Sequence, residues 1–267
     1  MKGEKDASAD RPADSLQQKS EWPEIVRRVR SQTPARLLVG RAGAAYRTST
    51  QVELREAHAA ARDAVRAELD LARDFPATFV EEWKLFEVTT RARSKDEYLL
   101  RPDLGRQFSA ASRTEILRRC SANNHLQIAI GDGLSVTAVA AQVAPLLPLL
   151  YEGAAMRGWT VGQSFVIRYC RVGILNEIGE LLQPRAAILL IGERPGLATA
   201  ESLSAYMAYS PRANHTDAER NLISNIHARG VGSERAAARI LNLAAQMAKN
   251  GTSGYRLREE LPKIGTR

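Results

Sequence analysis

Cysteine is scarce in this chain: Cys120 and Cys170 are the two thiols in 267 residues. So few thiols exclude a disulfide-stapled scaffold and read as reduced side chains of a cytoplasmic protein. No uninterrupted apolar run approaches the roughly 20 residues that a bilayer span requires, which argues against a membrane segment. The opening stretch MKGEKDASADRPADSLQQKSEW mixes charges of both signs and has no apolar centre, so it does not read as a secretory signal.

Catalytic signatures are missing too. The run Gly131-Asp132-Gly133-Leu134-Ser135-Val136 lacks the third glycine of a dinucleotide-binding turn and puts a carboxylate where a pyrophosphate would arrive. A G-x-x-x-x-G-K-[ST] phosphate loop and a G-x-S-x-G nucleophile turn are both absent. The histidines, His58, His125, His215 and His227, fall in no H-x-x-x-H grouping, and no C-x-x-C occurs, so no metal site is expected. His58 reads as a packed histidine on a helix, His227 as a helix residue that packs or caps, and Cys170 as a small buried strand residue. A chain without its own catalytic constellation points to a binding role or to a subunit of something larger.

The formal net charge is +8, yet it is spread evenly. Residues 1–125 hold 23 Lys+Arg against 19 Asp+Glu, and residues 126–267 hold 15 against 11. A nucleic-acid surface concentrates its cations on one face or helix, so that function class is set aside. A hydrophobic fraction of 44% with 25% charged residues is enough for a sizeable core.

What is present divides into three stretches. Residues 1–32 form a polar N-terminal tail or partner-docking segment, with Trp22, Ile25, Val26 and Val29 at helical spacing. Residues 33–125 form a helical and loop region. There, 51–75 is free of Gly and rich in helix formers, and Leu54, His58, Ala61, Val65, Leu69 and Ala72 share a face. A turn over 101–106 and a helix over 109–121 follow. Residues 126–267 alternate strands with helices. An apolar run over 126–135 that ends in a Gly-Asp-Gly turn reads as the first strand, and further strands are expected at 164–172, 186–196 and 203–212. Helices are expected from Ser135 (broken near Pro145 and Pro148), over 173–184, over 216–228 and over 233–249. The pattern predicts an α/β fold, an open and mainly parallel sheet with an N-terminal helical extension. Ligands of such sheets bind beyond the carboxyl ends of the strands. Three polar ends qualify: the Gly-bearing 131–135 and 192–196, and 168–172.

At these ends the sequence resembles the small (light) subunit of ethanolamine ammonia-lyase. The resemblance rests on VGRAG (39–43), the S-K-D, Y, L and R-P-D-L-G-R run (94–106), IGDGLS (130–135) and RYCRV (168–172). It continues through IGE (178–180), ILLIGERPGL (188–197), ESLSAYMAYSPR (201–212) and ISNIH (223–227). It implies a Rossmann-like cobalamin-cradling domain over 126–267 that clamps adenosylcobalamin (coenzyme B12) against a catalytic large subunit, a (β/α)₈ barrel. In the family, cobalt–carbon homolysis gives a 5′-deoxyadenosyl radical, and ethanolamine is converted to acetaldehyde and ammonia. The cofactor is expected base-on, and the D-x-H-x-x-G loop that supplies a protein histidine to cobalt is absent here.

By motif, the family's cofactor contacts fall on Val172, Glu193 and Leu222, the last in place of a family cysteine, with Arg171 a further candidate for the cofactor phosphate. An ion pair of Glu193 with Arg194 or Arg171 is the alternative role for that carboxylate. The resemblance further implies a lyase subunit that is required but not itself catalytic, and a higher hetero-oligomer with the large subunit. It places the complex in the cytoplasm, free or inside a bacterial microcompartment. A stand-alone corrinoid or small-molecule binding module without catalysis is the competing reading.

Overall fold

The computed structural model describes residues 23–32, 37, 39–196 and 199–260. The core is a six-stranded sheet in the order β3-β5-β4-β6-β7-β8, built from β3 (Glu87–Thr89), β4 (Leu126–Gly131), β5 (Phe165–Arg168), β6 (Ala186–Gly192), β7 (Leu203–Tyr209) and β8 (Asn221–Ile226). The first four in that order run parallel, while β7 is antiparallel to both neighbours. The α/β class holds, and the sheet is mixed rather than purely parallel.

Helices cover both faces. On one, α7 (Val136–Ala155) and α9 (Ser233–Asn250) pack on the sheet through Val139, Val143, Leu150, Ile240 and Met247. On the other, α6 (Ala110–Arg119) and α8 (Ile174–Leu182) bury Ile116, Ile174, Leu175 and Ile178 against Ala129, Ile167 and Leu189. Strands β4 and β6 are buried at every residue, which explains their continuous apolar sequence. Before the sheet come α1 (Glu24–Ser31), a hairpin of β1 (Arg41–Ala42) and β2 (Ala45–Tyr46), α2 (Thr48–Arg66), α3 (Leu71–Asp74), α4 (Ala77–Glu82) and, after β3, α5 (Lys95–Leu100). The N-terminal helical extension is therefore present from α1 onward. The expectations for residues 1–22, including Trp22, fall outside the described residues.

The structure corrects several expectations. The helix expected over 216–228 is a single 3₁₀ turn, Asp217–Glu219, followed by β8. A Thr216–Glu219 capping box closes that turn, and beyond it Leu222 and Ile223 pair with β7. Pairing on an open sheet edge outweighs the local helical preference. Helix α7 runs unbroken through Pro145 and Pro148, since burial along its inner face holds it together despite the lost donors. The helix expected over 51–75 stops at Arg66, and α3 restarts under an Asp70 cap that accepts from the N–H groups of Ala72 and Arg73. His58 is exposed instead of packed, because α2 buries only Thr50. Residues 87–89, expected among helices and loops, form the edge strand β3 beside β5. Among the described residues α7 is long and apolar enough to cross a membrane, and its buried face belongs to the core.

Gly179 marks the closest approach between α8 and the turn after β7: a Cβ built there would overlap the carbonyl oxygen of Pro211. Gly179→Ala is therefore expected to cost about 1–3 kcal/mol. Thermal unfolding should show a midpoint several degrees below wild type, and an unchanged midpoint would refute this packing argument.

Candidate functional site

Adjacent strands β4 and β5 send their helices to opposite faces, α7 to one and α8 to the other, so a crevice forms at their carboxyl ends. A ligand's anionic group would ordinarily sit there. In this protein Asp132 fills it. Its Oδ1 accepts from the Cys170 N–H at 2.8 Å and its Oδ2 from the Tyr169 N–H at 2.9 Å. Tyr169, at φ 58°, lies in the left-handed region, and this conformation turns both amides toward the carboxylate. Lys95 Nζ stands 3.6 Å from Oδ2 and donates to the Gly133 carbonyl at 3.2 Å. Asp132 and Lys95 are both buried. Burial pushes the Asp132 carboxyl up, and the Lys95 ammonium with three backbone N–H groups pulls it back.

The segment that carries Lys95 is then fastened over the strand ends. Ser94 caps α5 by accepting from the Glu97 N–H. The Tyr98 hydroxyl donates to the Cys170 carbonyl at 3.0 Å, while the Arg171 guanidinium lies 4.1 Å from the Tyr98 ring centroid and donates to its carbonyl. The Arg171 N–H in turn bonds the Gly105 carbonyl, and a Cβ on Gly105 would crowd both Arg171 and the Tyr169 carbonyl. Arg171 is thus built into the scaffold, with its Nε buried and unpartnered among the described residues. Cys170 is buried as expected, but in the turn after β5 rather than within the strand. Burial pushes its thiol well up and that of Cys120 to about 12, so neither ionises near neutral pH.

Glu193 follows β6 and forms neither expected ion pair. Its carboxylate accepts from Ser202 Oγ at 2.7 Å, from Ser204 Oγ, and from the Asn225 N–H at 3.1 Å. One side chain therefore joins the ends of β6, β7 and β8. Asn225 is at φ 61°, at the irregularity where β8 slips against β7. Its side-chain oxygen contacts His227 Nε2 at 2.7 Å. His227 Nδ1 accepts the Arg229 N–H at 3.2 Å, which assigns the ring proton to Nε2 and makes it the donor to Asn225. His227 is a buried turn residue, not the helix residue expected from the sequence.

Val172 packs against the α8-side core and, with Arg171, lines a cleft of about 970 Å³ between α8 and the loops around residues 103 and 215. On the far side of that cleft Arg220 pairs with Asp217 and donates to Asn176 Oδ1 at 2.9 Å. Leu222 does not lie at a strand end. It sits within β8, directly opposite Tyr206 of β7 and 44% exposed. Both point to the α8 side, where α6 and α8 leave β7 and β8 open. Glu193 and Leu222 thus lie along one open shelf on the α8-side face of β6 to β8, whereas Val172 and Arg171 line the cleft. Lys95, Tyr98, Ser202, Ser204 and Asn225 were not singled out from the sequence. The two serines at i and i+2 beside an acidic residue were the available signal, since such a pair faces one side of a strand.

Fold and site together define an α/β protein that presents an open shelf and cleft at its strand ends, with no cluster of three potential metal ligands among the described residues. The chain belongs to the ethanolamine ammonia-lyase light chain family (EutC), whose model matches residues 23–258. It is 42% identical over 230 residues to the ethanolamine ammonia-lyase small subunit of Clostridium perfringens, covering 86% of this chain and 76% of that one. The small subunit of Clostridioides difficile is 40% identical with the same coverage. That of Clostridium acetobutylicum is 39% identical over 85% of this chain and 91% of its own.

Removing Lys95 would leave Asp132 as an unpaired buried charge. Lys95→Met is expected to destabilise the fold by about 3–5 kcal/mol in urea unfolding. Adding Asp132→Asn should recover part of that loss, because the charge is then gone while one of the two N–H donors faces an NH2 that cannot accept from it. A single variant within about 1 kcal/mol of wild type would show that the pair does not hold the strand ends.

Proposed function

We propose that this chain is the small subunit of an adenosylcobalamin-dependent ethanolamine ammonia-lyase, which forms acetaldehyde and ammonia together with a large subunit. The observation that carries this reading is the open shelf along Glu193 and Leu222 with the cleft lined by Val172, in a chain of this family that shows no catalytic grouping among the described residues. The shelf suits a large macrocycle with an apolar face and a rim of amides. Leu222 offers exposed apolar surface, and the Gly192–Glu193 strand end brings backbone close. Glu193 uses three of its roughly four acceptor positions within the chain, so one remains for a ligand amide N–H. Where the family has cysteine, Leu222 supplies hydrocarbon, which fits an apolar face and excludes a sulfur contact.

Adenosylcobalamin, when bound, supplies a cobalt–carbon bond that breaks homolytically. This chain's part is to hold and orient: Glu193 and Asn225 fix the shelf edge, Val172 and Leu222 exclude water, and Arg171, which lines the cleft, would offer its charge to the ligand's phosphate. His227 is bonded on both ring nitrogens and so serves the strand ends rather than a metal. The catalytic step belongs to the large subunit, and a higher hetero-oligomer in the cytoplasm, free or inside a microcompartment, is the assembly this implies.

The test is co-production with a large subunit and assay of acetaldehyde from ethanolamine and adenosylcobalamin, with each chain alone as control. Activity that needs both chains and the cofactor is expected; turnover by this chain alone would refute the division of labour. In the assembled complex, Glu193→Ala should raise the cobalamin dissociation constant about tenfold or more, the worth of a hydrogen bond to a charged group. An unchanged constant, read by absorbance titration, would reduce Glu193 to a strand-end tie.

A further inference from the structure

Tyr206 was not singled out by any sequence motif, yet it stands at the centre of the shelf. It pairs with Leu222 across β7 and β8 and with Leu189 across β6 and β7, so its ring closes the α8-side core at the point where the helices end. The side chain is half-buried, and its hydroxyl has no hydrogen-bond partner among the described residues. Tyr98, Tyr151 and Tyr169 differ: their hydroxyls donate to the Cys170 carbonyl, the Gly162 carbonyl and Glu68. Packing alone would be served as well by phenylalanine. Burial, with Asp217 and Glu193 nearby, pushes the phenol up, so it remains a donor at neutral pH. A ring with an apolar body and a free donor at its tip suits a ligand that presents hydrocarbon in its middle and carbonyl acceptors at its rim.

We propose that Tyr206 is a cofactor-contacting residue: its ring and the Leu222 side chain form the apolar floor under the corrin, and its hydroxyl donates to an amide carbonyl on the corrin periphery. This rests on the cobalamin reading above and adds to it the residue that reads the rim. Tyr206 takes no part in bond making or breaking; it sets how tightly and in which orientation the macrocycle lies.

The experiment uses the assembled two-subunit complex and titrates adenosylcobalamin and then cobinamide, which keeps the corrin amides and lacks the nucleotide tail. Wild type, Tyr206→Phe and Tyr206→Ala are compared for dissociation constant by absorbance, with complex mass and thermal midpoint as structural controls. Tyr206→Phe is expected to weaken both ligands by about three- to tenfold, the loss of one neutral hydrogen bond, with mass and midpoint unchanged. Tyr206→Ala should weaken them further by removing the floor; if it fails to assemble, the phenylalanine variant decides. Wild-type affinity in Tyr206→Phe overturns the donor assignment. A loss seen with adenosylcobalamin but not with cobinamide overturns it too, by placing the contact on the nucleotide tail. A wild-type complex that binds neither ligand instead overturns the cobalamin reading itself.

Discussion

A carboxylate in the interior is tolerated only when donors surround it, and Asp132 meets that condition with two amides from the turn after β5, a third from Gly133, and the Lys95 ammonium. Those donors come from three segments, so satisfying one charge fixes three pieces of chain at once. The turn at Tyr169 adopts its left-handed conformation, α5 is drawn onto the strand ends, and Tyr98 is brought beneath Arg171. The crevice that α/β folds usually offer to a phosphate is consequently closed by the protein's own anion. Any ligand must lie beside it.

The mixed sheet provides the place. Had the chain continued with another parallel strand after β6, a crossover helix would have covered that part of the α8-side face. Instead β7 and β8 return as antiparallel neighbours, joined through residues 193–202 and 210–220 without a crossover helix among the described residues, and Leu222 on their α8 side stays open. Such an edge needs rigidity from elsewhere, and Glu193 supplies it by tying three strand ends through Ser202, Ser204 and the Asn225 N–H. The His227–Asn225 bond holds the kink from the other side. A motif that reads as a string of polar residues is in effect one buried hydrogen-bond network.

Much of this was legible in the sequence, and the failures have physical causes. The apolar runs of β4 and β6 announced buried strands, and the Ser135 cap marked where α7 begins. Local preference misled where tertiary pairing decided: β8 reads as helix until β7 offers it an edge, and the prolines of α7 read as breaks until a sheet holds the helix against them. Val172 and Glu193 were placed at strand ends from the pattern alone, and the structure puts them there. Leu222 was assigned by motif resemblance, within a segment expected to be helical that proves to be β8. The Asp132–Lys95 pair was invisible to local reading, since its partners are distant in sequence and meet only through the sheet.

These constraints bear on what kind of chemistry the chain can perform. Its buried acids and bases are already engaged: Asp132 with Lys95, Glu193 with serines and an amide, His227 with Asn225 and Arg229, and the cysteine thiols held protonated by burial. A general acid or base must exchange its proton with a substrate, and none of these groups can do so without releasing a strand end. What remains accessible at the shelf is hydrocarbon, a phenol, backbone and one acceptor position of Glu193, groups suited to binding and orienting a ligand. A protein that commits its charges to holding a surface still is suited to keeping a large cofactor in one orientation while the reaction proceeds on the cofactor's other face. Under the proposed function, rigidity is what this chain would contribute to catalysis.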